Sequence, residues 1–278
     1  MYPNPMHINV RALRHNYPQR KGAPLRAIQN IDLDIQVGEF VTLIGPSGCG
    51  KSTLLRILSG LLEPTGGTVL LSDQPPQKLV AAKRIGWLAQ NPALLPWKTV
   101  SENIALAQQI NPQNHRPLLS PGDLLTLVGL IDFAEAYPFS LSGGMQQRVA
   151  LARTLALGAD LWLMDEPFAA LDELTRDTLI EDVLALRETQ AASRKLQATS
   201  DTSAHSSLPT VLWVTHHIYE AARLADRVLV MTPRPGQIAA EVRVNLPRPR
   251  DESQPEFQAI VTKLRAQLQA KIYQPHTA

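Results

Sequence analysis

Residues 45–53 read Gly45-Pro46-Ser47-Gly48-Cys49-Gly50-Lys51-Ser52-Thr53, which fits the pattern G-x-x-x-x-G-K-[ST]. The apolar runs 40–44 and 54–58 on either side predict a buried strand before this loop and a helix after it. Glycines allow backbone N–H groups to turn toward phosphate oxygens, and a helix that begins near Lys51 directs the positive end of its dipole at them. We predict a nucleotide-binding phosphate loop; the simpler alternative is a glycine-rich turn between strand and helix.

Two side chains of this loop have the chemistry that a bound nucleotide needs. Lys51 is expected to reach the β- and γ-phosphates. Ser52 offers a hydroxyl oxygen to Mg²⁺, a hard octahedral ion that prefers oxygen ligands and is usually shared between protein and nucleotide. The loop therefore predicts a magnesium–nucleotide complex.

The composition is that of an ordinary globular protein of 278 residues. Lysine and arginine total 27 against 25 aspartates and glutamates, so no overall field attracts the chain to nucleic acid or to an anionic membrane. The lone cysteine, Cys49, cannot form an internal disulfide, which is typical of a reducing compartment. No apolar run approaches the roughly 18 residues that span a bilayer, and residues 1–7 are too polar for a signal peptide. We expect a cytoplasmic chain that reaches a membrane only through a partner.

Two kinds of strand pattern predict an α/β core with an antiparallel side sheet. Residues 31–37 alternate apolar and polar, which is typical of a strand with one wet face. Residues 40–44 and the run 161–164 before Asp165 look buried on both sides, as in a parallel sheet. Further predicted strands cover 8–10, 67–71, 85–90, 211–215, 227–231 and 238–244.

Helical patterns and a polar segment define the remaining organisation. We predict a helical subdomain from about 92 to 157, a helix over 173–188, a short helix over 219–224 and a helical tail over 255–272 that packs on the body. Residues 189–207 are rich in Ser, Thr, Ala and Gln with almost no large apolar side chains, so we predict a flexible insertion there.

Two acids and a histidine follow predicted buried strands. Asp165 and Glu166 end the run 161–165, where a carboxylate would lie beside Mg²⁺ at the carboxyl edge of a parallel sheet. Asp165 suits the metal shell, and Glu166 is placed to polarise the water that attacks the γ-phosphate. The alternative is two acids that end a strand in solvent. His216 follows the run 211–215, and taken alone such a histidine is usually structural.

A second anion-binding pattern occurs at Ser142-Gly143-Gly144, which leads into a predicted helix. Two phosphate-binding segments for one nucleotide suggest a dimer. The alternative is a capped helix with a glycine-rich approach.

These motifs together resemble the ABC ATPase family. The resemblance covers roughly residues 6–250, with 251–278 as a helical tail, and rests on the loop Gly45–Thr53, the signature Leu141–Gln146 and the acidic strand end Leu161–Pro167. It implies a P-loop NTPase fold with a RecA-like core, an antiparallel β subdomain and an inserted helical subdomain, which binds ATP and Mg²⁺.

The resemblance also implies roles for residues that no pattern above specified. Gln90 looks like the Q-loop glutamine, which would join Ser52 and Asp165 around the metal, and residues 170–172 look like the D-loop. His216 looks like the switch histidine, and Tyr17 looks like the aromatic residue that stacks on adenine. Catalysis would then depend on Lys51, Gln90, Glu166 and His216.

A head-to-tail homodimer follows from the same resemblance. Ser142, Gly143 and Gly144 of one chain would close over the nucleotide held by the other, and closure with hydrolysis would drive a partner.

Finer features resemble the nitrate/sulfonate/taurine group of importer ATPases: residues 91–97, 136–138, 164–172, 234–236 and 245–250. This implies a peripheral subunit on the cytoplasmic face of the bacterial plasma membrane, bound to permease subunits whose coupling helices sit near 92–97, and served indirectly by a solute-binding protein. The alternative for Leu94, Leu95 and Trp97 is that they cap the core of the helical subdomain.

Two positions depart from this group, which usually has an acid after the switch histidine and another two residues on, where this chain has His217 and Tyr219. We expect the adjacent histidines to make activity sensitive to pH. Cys49, at a helix start, is expected to have a lowered pKa and to be protected from alkylation by ATP.

Other functions within the family fit less well. A soluble ABC ATPase acting on DNA or the ribosome commonly has two cassettes or a coiled-coil insertion, and the roughly 90 residues between Lys51 and Ser142 leave no room for one. A basic stripe for nucleic acid is missing. An exporter often has a fused membrane segment, and an inactive binding module would not need Lys51, Asp165, Glu166 and His216.

Overall fold

The computed structural model describes residues 6–111, 119–197 and 208–272. Within these ranges the strands form two sheets. The side sheet has the order β2-β1-β4 and the main sheet the order β5-β6-β7-β3-β8-β9. The strands are β1 (Ile8–Tyr17), β2 (Leu25–Ile35), β3 (Phe40–Ile44), β4 (Gly66–Leu71), β5 (Ile85–Leu88), β6 (Leu161–Asp165), β7 (Thr210–Val214), β8 (Arg227–Met231) and β9 (Ile238–Arg243).

The main sheet is parallel except for its edge strand β9, which pairs antiparallel with β8. Every residue of β3, β6, β7 and β8 is buried, because helices cover one face of the sheet and a helix together with the side sheet covers the other. The apolar runs therefore correctly predicted parallel strands. Since β6, β7 and β3 are neighbours, their carboxyl ends open on one edge of the sheet.

The side sheet is antiparallel, as the alternation in 31–37 predicted. Strand β1 pairs with β2 on one side and β4 on the other. Its length was underestimated, since β1 continues from Val10 to Tyr17 through register shifts that interrupt the period-two pattern. This extension carries Tyr17 to the edge where the phosphate loop lies.

The helices are α1 (Lys51–Leu58), α2 (Pro76–Ala81), α3 (Val100–Gln109), α4 (Pro121–Leu127), α5 (Gly143–Ala156), α6 (Glu173–Gln197), α7 (Ile218–Leu224) and α8 (Pro255–Ile272). Helices α3, α4 and α5 lie in the range predicted for the helical subdomain. Capping boxes fix the starts of α3, at Thr99 with Glu102, and of α4, at Ser120 with Asp123.

Helix α6 extends further than predicted. It continues to Gln197, nine residues beyond the expected end at Glu188, so the first part of the predicted insertion is helical. Residues 189–197 contain one large apolar residue, Leu196, but several good helix formers, and extending an existing helix avoids the cost of nucleation. The rest of the predicted insertion, 198–207, lies outside the described residues.

The tail helix α8 packs on the body, as its pattern predicted. Phe257, Val261 and Leu264 are buried in a cluster with residues of α7, β8 and β9. The preceding segment is fastened by Arg250, whose Nη1 donates to the carbonyl oxygens of Ala222 and Ala225 at the end of α7. Among the described helices, none is both long and apolar enough to cross a membrane.

Candidate functional site

An open cleft of about 580 Å³ lies at the carboxyl edge of the main sheet. It brings together most of the predicted site residues, which come from β1, the phosphate loop and the ends of β5, β6 and β7. The lining residues are Tyr17, Leu25, Ala27, Gly45, Pro46, Ser47, Gly48, Gly50, Lys51, Ser52, Thr53, Gln90, Glu166, His216, Arg234 and Leu268.

The phosphate loop has the backbone that its glycines predicted. Gly48 has φ +72° and Gly50, the residue before α1, has φ +111°, both in the left-handed region that favours glycine. A Cβ on Gly50 would lie 2.6 Å from Cγ2 of Ile28, so the loop also packs too closely on β2 for a side chain. These constraints hold the start of α1 against the cleft.

Lys51 is the first residue of α1 and is only 6% exposed. Its Nζ donates to the carbonyl oxygens of Gly45 at 2.9 Å and Pro46 at 3.0 Å, which keeps the ammonium group inside the curve of the loop. The first turn of α1 contains no acidic residue that would offset the positive end of the helix dipole. Ammonium and dipole together make this end of the cleft suited to an anion.

Cys49 is the one loop residue of 45–53 that does not line the cleft. Its side chain is 1% exposed and packs in the core cluster between β2 and α1. Burial raises the pKa of the thiol, and the neighbouring Lys51 only partly opposes this rise. The expectation of a lowered pKa was therefore wrong, because desolvation outweighs the helix start and the cation.

The predicted metal ligands include two adjacent oxygen donors. Asp165 is 4% exposed at the end of β6, and its carboxylate is hydrogen-bonded to the side chain of Ser52. Burial raises the pKa of Asp165, opposed by Ser52, Lys51 and Arg56. A hydroxyl beside a carboxylate is a donor set that suits Mg²⁺, with other oxygens taken from nucleotide and water. Gln90, the third predicted ligand, is exposed and lines the cleft just after β5.

Glu166 projects into the cleft because its backbone breaks the strand geometry. Its φ is +51°, unusual for a residue with a side chain, while its N–H still donates to the carbonyl oxygen of Val214 at 3.0 Å. His216, which follows β7, places Nδ1 3.5 Å from Oε2 of Glu166. The His216 side chain is about half exposed and that of Glu166 is mostly buried. The pair therefore lines the cleft with the phosphate loop, with His216 partly exposed to solvent and Glu166 largely shielded from it.

Tyr17 lies at the end of β1, where its hydroxyl is 3.3 Å from Oγ1 of Thr53 in the first turn of α1. The ring packs edge-on against His15. The structure thus brings Tyr17 to the cleft, and its role with adenine stays a prediction.

Ser142, Gly143 and Gly144 do not line the cleft of their own chain. Oγ of Ser142 caps α5 by accepting from N–H of Met145 at 3.3 Å, and both Ser142 and Gly143 are exposed. A Cβ on Gly144 would lie 2.8 Å from the carbonyl oxygen of Ala170, so this glycine allows close packing on residues 170–172. A Cβ on Gly143 would meet nothing within 4 Å, which leaves that side of the helix start open to a partner.

Glu220 is a site neighbour that the sequence did not reveal. It is 3% exposed in α7 and accepts a hydrogen bond from Nε1 of Trp213, with a further one from Thr215. Burial raises its pKa to about 7. A glutamate in a short helix ordinarily faces solvent, so no pattern marked this one.

His217 packs against His216, with ring centroids 4.2 Å apart and ring planes tilted by 38°. Burial, with the nearby charges of Arg176 and His216, lowers the pKa of His217, while Glu166 opposes the change. Neutral His217 is therefore the form that the folded chain favours.

Arg234 and Leu268 line the cleft although neither was predicted to. Arg234 belongs to a motif noted only as a mark of the importer group, and Leu268 belongs to α8, which was expected only to pack on the body. Periodicity could place Leu268 on the packed face but could not show where that face ends.

Comparisons with known proteins show which proteins this chain is similar to in sequence and fold. The sequence profile of the ABC transporter family matches residues 28–169. The nitrate import ATP-binding protein NrtD of Synechococcus elongatus is 41% identical over 243 residues, which are 84% of this chain and 80% of that protein. The aliphatic sulfonates import ATP-binding protein SsuB 1 of Pseudomonas savastanoi pv. phaseolicola is 40% identical over 249 residues, 90% of this chain and 91% of the relative.

The fold is also similar to that of a solved cassette. The dimeric ATP-binding cassette MJ0796, in a post-hydrolysis state with ADP and Pi bound, superposes with a TM-score of 0.70 at 29% identity. The match covers 86% of this chain and 99% of that one.

Proposed function

The chain belongs to the ABC transporter family, and we propose that it is the ATPase subunit that energises import of a small anion or organic solute through a separate permease. The observation that carries this proposal is the pairing of Glu166 with His216 across the cleft from the phosphate loop. A chain that only bound nucleotide would not need a carboxylate and an imidazole directed at the γ-phosphate end of the site.

Binding is proposed to depend on the phosphate loop and on three oxygen donors for the metal. Backbone N–H groups of residues 45–53 and Nζ of Lys51 hold the phosphates, and Ser52, Asp165 and Gln90 hold Mg²⁺. When bound, this ion neutralises charge on the β- and γ-phosphate oxygens.

Hydrolysis requires a water molecule beside Glu166. Its carboxylate accepts a proton as the water oxygen bonds to the γ-phosphorus and the bond to the β-phosphate oxygen breaks, which releases ADP. The Nδ1 atom of His216 lies 3.5 Å from Oε2 of Glu166. His216 therefore orients Glu166 and the attacking water, and it can donate a hydrogen bond to the γ-phosphate. The φ of +51° at Glu166 is a strained backbone conformation, and it directs the carboxylate into the cleft.

The site is proposed to be completed by a second copy of the chain. The start of α5 is uncovered, because Ser142 is exposed and one side of Gly143 is open. This helix start lies outside the chain's own cleft, so it could bind only an anion that a partner brings to it. The solved relative MJ0796 is dimeric. We infer a head-to-tail dimer in which each signature segment closes the other chain's cleft.

An exposed aromatic surface supports contact with a permease. Trp97 is 71% exposed, and Phe139 is 78% exposed and stacks on Tyr137 at 5.7 Å. A backbone hydrogen bond from Val100 to Ala136 joins these two stretches. Leu94 instead packs against the core of the helical subdomain. The alternative that these apolar residues cap that core therefore holds for Leu94 but not for Trp97. Large exposed aromatic side chains commonly mark protein contacts.

The class of solute is proposed from the relatives, whose names state import of nitrate and of aliphatic sulfonates. These names favour a small anion and do not favour action on DNA or the ribosome. In such a system the permease and a solute-binding protein would choose the solute, and this chain would lie on the cytoplasmic face of the membrane.

One experiment tests the proposal. The tagged Glu166→Gln protein, which should hold ATP without hydrolysing it, is purified from host membranes solubilised with ATP and Mg²⁺, with Lys51→Ala as the matched control. Recovery of a multi-span permease that depends on ATP supports the proposal. Recovery of ribosomal or DNA-bound proteins without a permease overturns it.

A further inference from the structure

The turn formed by residues 232–237, which follows β8, contacts the phosphate loop at two points. Nε and Nη2 of Arg234 both donate to the carbonyl oxygen of Gly48, at 3.1 Å and 2.9 Å. A Cβ on Gly236 would lie 2.0 Å from the carbonyl oxygen of Cys49, so the two backbones touch and only glycine fits there. The motif 234–236 thus packs directly on the loop.

The same turn is fixed to the side sheet. The N–H of Gly236 donates to the carbonyl oxygen of Ala27, and the N–H of Gln29 donates to the carbonyl oxygen of Gly236, both at 3.0 Å. Within the turn, N–H of Gln237 donates to Oγ1 of Thr232 at 3.0 Å. Arg234 therefore projects from a segment that is hydrogen-bonded to β2, and its guanidinium is held against the loop at Gly48.

We propose that Arg234 is a positioning residue for the phosphate loop, where it fixes the peptide between Gly48 and Cys49 and so preserves the loop shape that binds phosphate. The inference rests on the proposed nucleotide site. Gly48, with φ +72°, can adopt more than one backbone orientation. The N–H of the same peptide, that of Cys49, donates to the carbonyl oxygen of Pro46 over a longer distance of 3.3 Å, so Arg234 supplies the shorter hydrogen bonds to this peptide. The planar fork of an arginine holds such a carbonyl in a defined direction.

This role acts on phosphate and not on the base. Removing the fork should weaken binding of MgATP and MgADP about five- to tenfold, the effect of losing one exposed charge-assisted hydrogen bond pair. Adenosine, which has no phosphate, should compete for the site as it does with the wild type. In turnover assays the KM for ATP should rise while kcat stays close to that of the wild type.

The experiment compares full-length Arg234→Ala and Arg234→Lys with the wild type by calorimetric titration of MgATP and MgADP and by competition with adenosine. Arg243→Ala is the matched control, because Arg243 is exposed on β9 and its loss changes the net charge equally. The thermal unfolding midpoint without nucleotide checks that each variant folds. Lys51→Ala marks the loss expected from a damaged cleft.

Arg234→Lys separates the fork from the charge, since an ammonium group keeps the charge but is a single point donor. We expect Arg234→Lys to bind MgATP almost as weakly as Arg234→Ala, and Arg243→Ala to bind like the wild type. Full affinity in Arg234→Ala, full rescue by Arg234→Lys or an equal loss for adenosine would each overturn the inference. If the wild type itself bound no MgATP, the proposed function would fail instead.

Discussion

Nδ1 of His216 lies 3.5 Å from Oε2 of Glu166, across the gap between the ends of β7 and β6. Neither residue reaches this position by strand geometry alone. Glu166 needs a positive φ to project inward, and His216 follows Thr215, whose Oγ1 accepts from the N–H of His217 at 3.0 Å and tightens the turn. The proximity of Glu166 and His216 therefore depends on two turns. One has a strained backbone at Glu166, and the other is held by the hydrogen bond to Thr215.

The first prediction concerns this pair. Glu166→Gln should lower the rate of ATP hydrolysis by about 10²–10⁴, because an amide cannot accept the proton of the attacking water. ATP binding should persist, since the phosphate loop and Ser52 are unchanged, and a dimer trapped with ATP should be visible by gel filtration. His216→Ala should lower the rate with a smaller effect on ATP affinity.

The matched control for this pair is Glu181→Gln, an exposed change on α6 with the same loss of charge. It should hydrolyse ATP normally. Normal hydrolysis by Glu166→Gln would mean that another group accepts the proton.

The second prediction tests closure by the signature segment. Ser142→Arg places a long cation at the exposed start of α5 and should abolish hydrolysis and ATP-induced dimerisation while the chain still binds ATP. Because the change also removes a helix cap worth about 1 kcal/mol, Ser120→Arg is the control. Ser120 caps α4 in the same way and is exposed, but it lies on no proposed dimer surface. Hydrolysis by Ser142→Arg at the wild-type rate would contradict closure in trans.

The sequence predicted the fold well where one pattern dominates. The four strands buried on both faces and the apolar stripe of α8 were found because their patterns report burial directly. Strand β1 and helix α6 were both predicted to be shorter than they are, for different reasons. Bulges interrupt the alternation of β1, which hid its second half. The last part of α6 is mostly polar, so it forms through helix propensity and extension of an existing helix, which an apolar pattern does not reveal.

The site was predictable where chemistry and local spacing coincide, as in the phosphate loop. It was not predictable where a role depends on distant packing. Glu220 is buried only because α7 turns it under Trp213, and Arg234 meets Gly48 across 186 positions of chain. Cys49 shows the same limit, since its neighbours in sequence suggested an exposed thiol and the sheet buries it.

The third prediction replaces the expectation for Cys49. Because the thiol is 1% exposed and burial raises its pKa, iodoacetamide at pH 7.5 should label the folded chain slowly with or without ATP. In denaturing urea the same thiol should react fully, which is the control for reagent and mass detection. Fast labelling of the folded chain that ATP suppresses would show that the thiol faces the cleft.

The fourth prediction concerns His217. Its lowered pKa keeps the ring neutral at pH 7, and protonation in acid would place a cation against His216 and beside Arg176 and Glu166. That charge would stabilise ionised Glu166 and weaken it as a base. Because the pKa of His217 is lowered from 6.5, the ATPase rate should fall as the pH decreases below about 6.5. His217→Asn should flatten this fall. A wild-type profile that is flat, or one that His217→Asn leaves unchanged, would exclude the role.

The last prediction follows from the buried carboxyl group of Glu220. Its pKa rises from 4.5 to about 7 on folding because burial disfavours the ionised form, with Glu166 adding to the rise and Trp213, Thr215 and Arg176 opposing it. A raised pKa means that the folded chain binds this proton more tightly than the unfolded chain. The stability that it contributes is complete below pH 4.5 and is lost as the pH rises through 7.

The loss amounts to about 3 kcal/mol, because the pKa rises from 4.5 to about 7 and a tenfold change in proton affinity corresponds to about 1.4 kcal/mol. Glu220→Gln removes the ionisation but keeps an oxygen that can accept from Nε1 of Trp213. The variant should therefore gain stability relative to the wild type between pH 5 and pH 8, measured by urea unfolding without nucleotide. Glu256→Gln, an exposed change on α8, should gain far less because its carboxylate stays in water. A stability difference between wild type and Glu220→Gln that does not vary with pH would mean that Glu220 ionises freely in the folded chain.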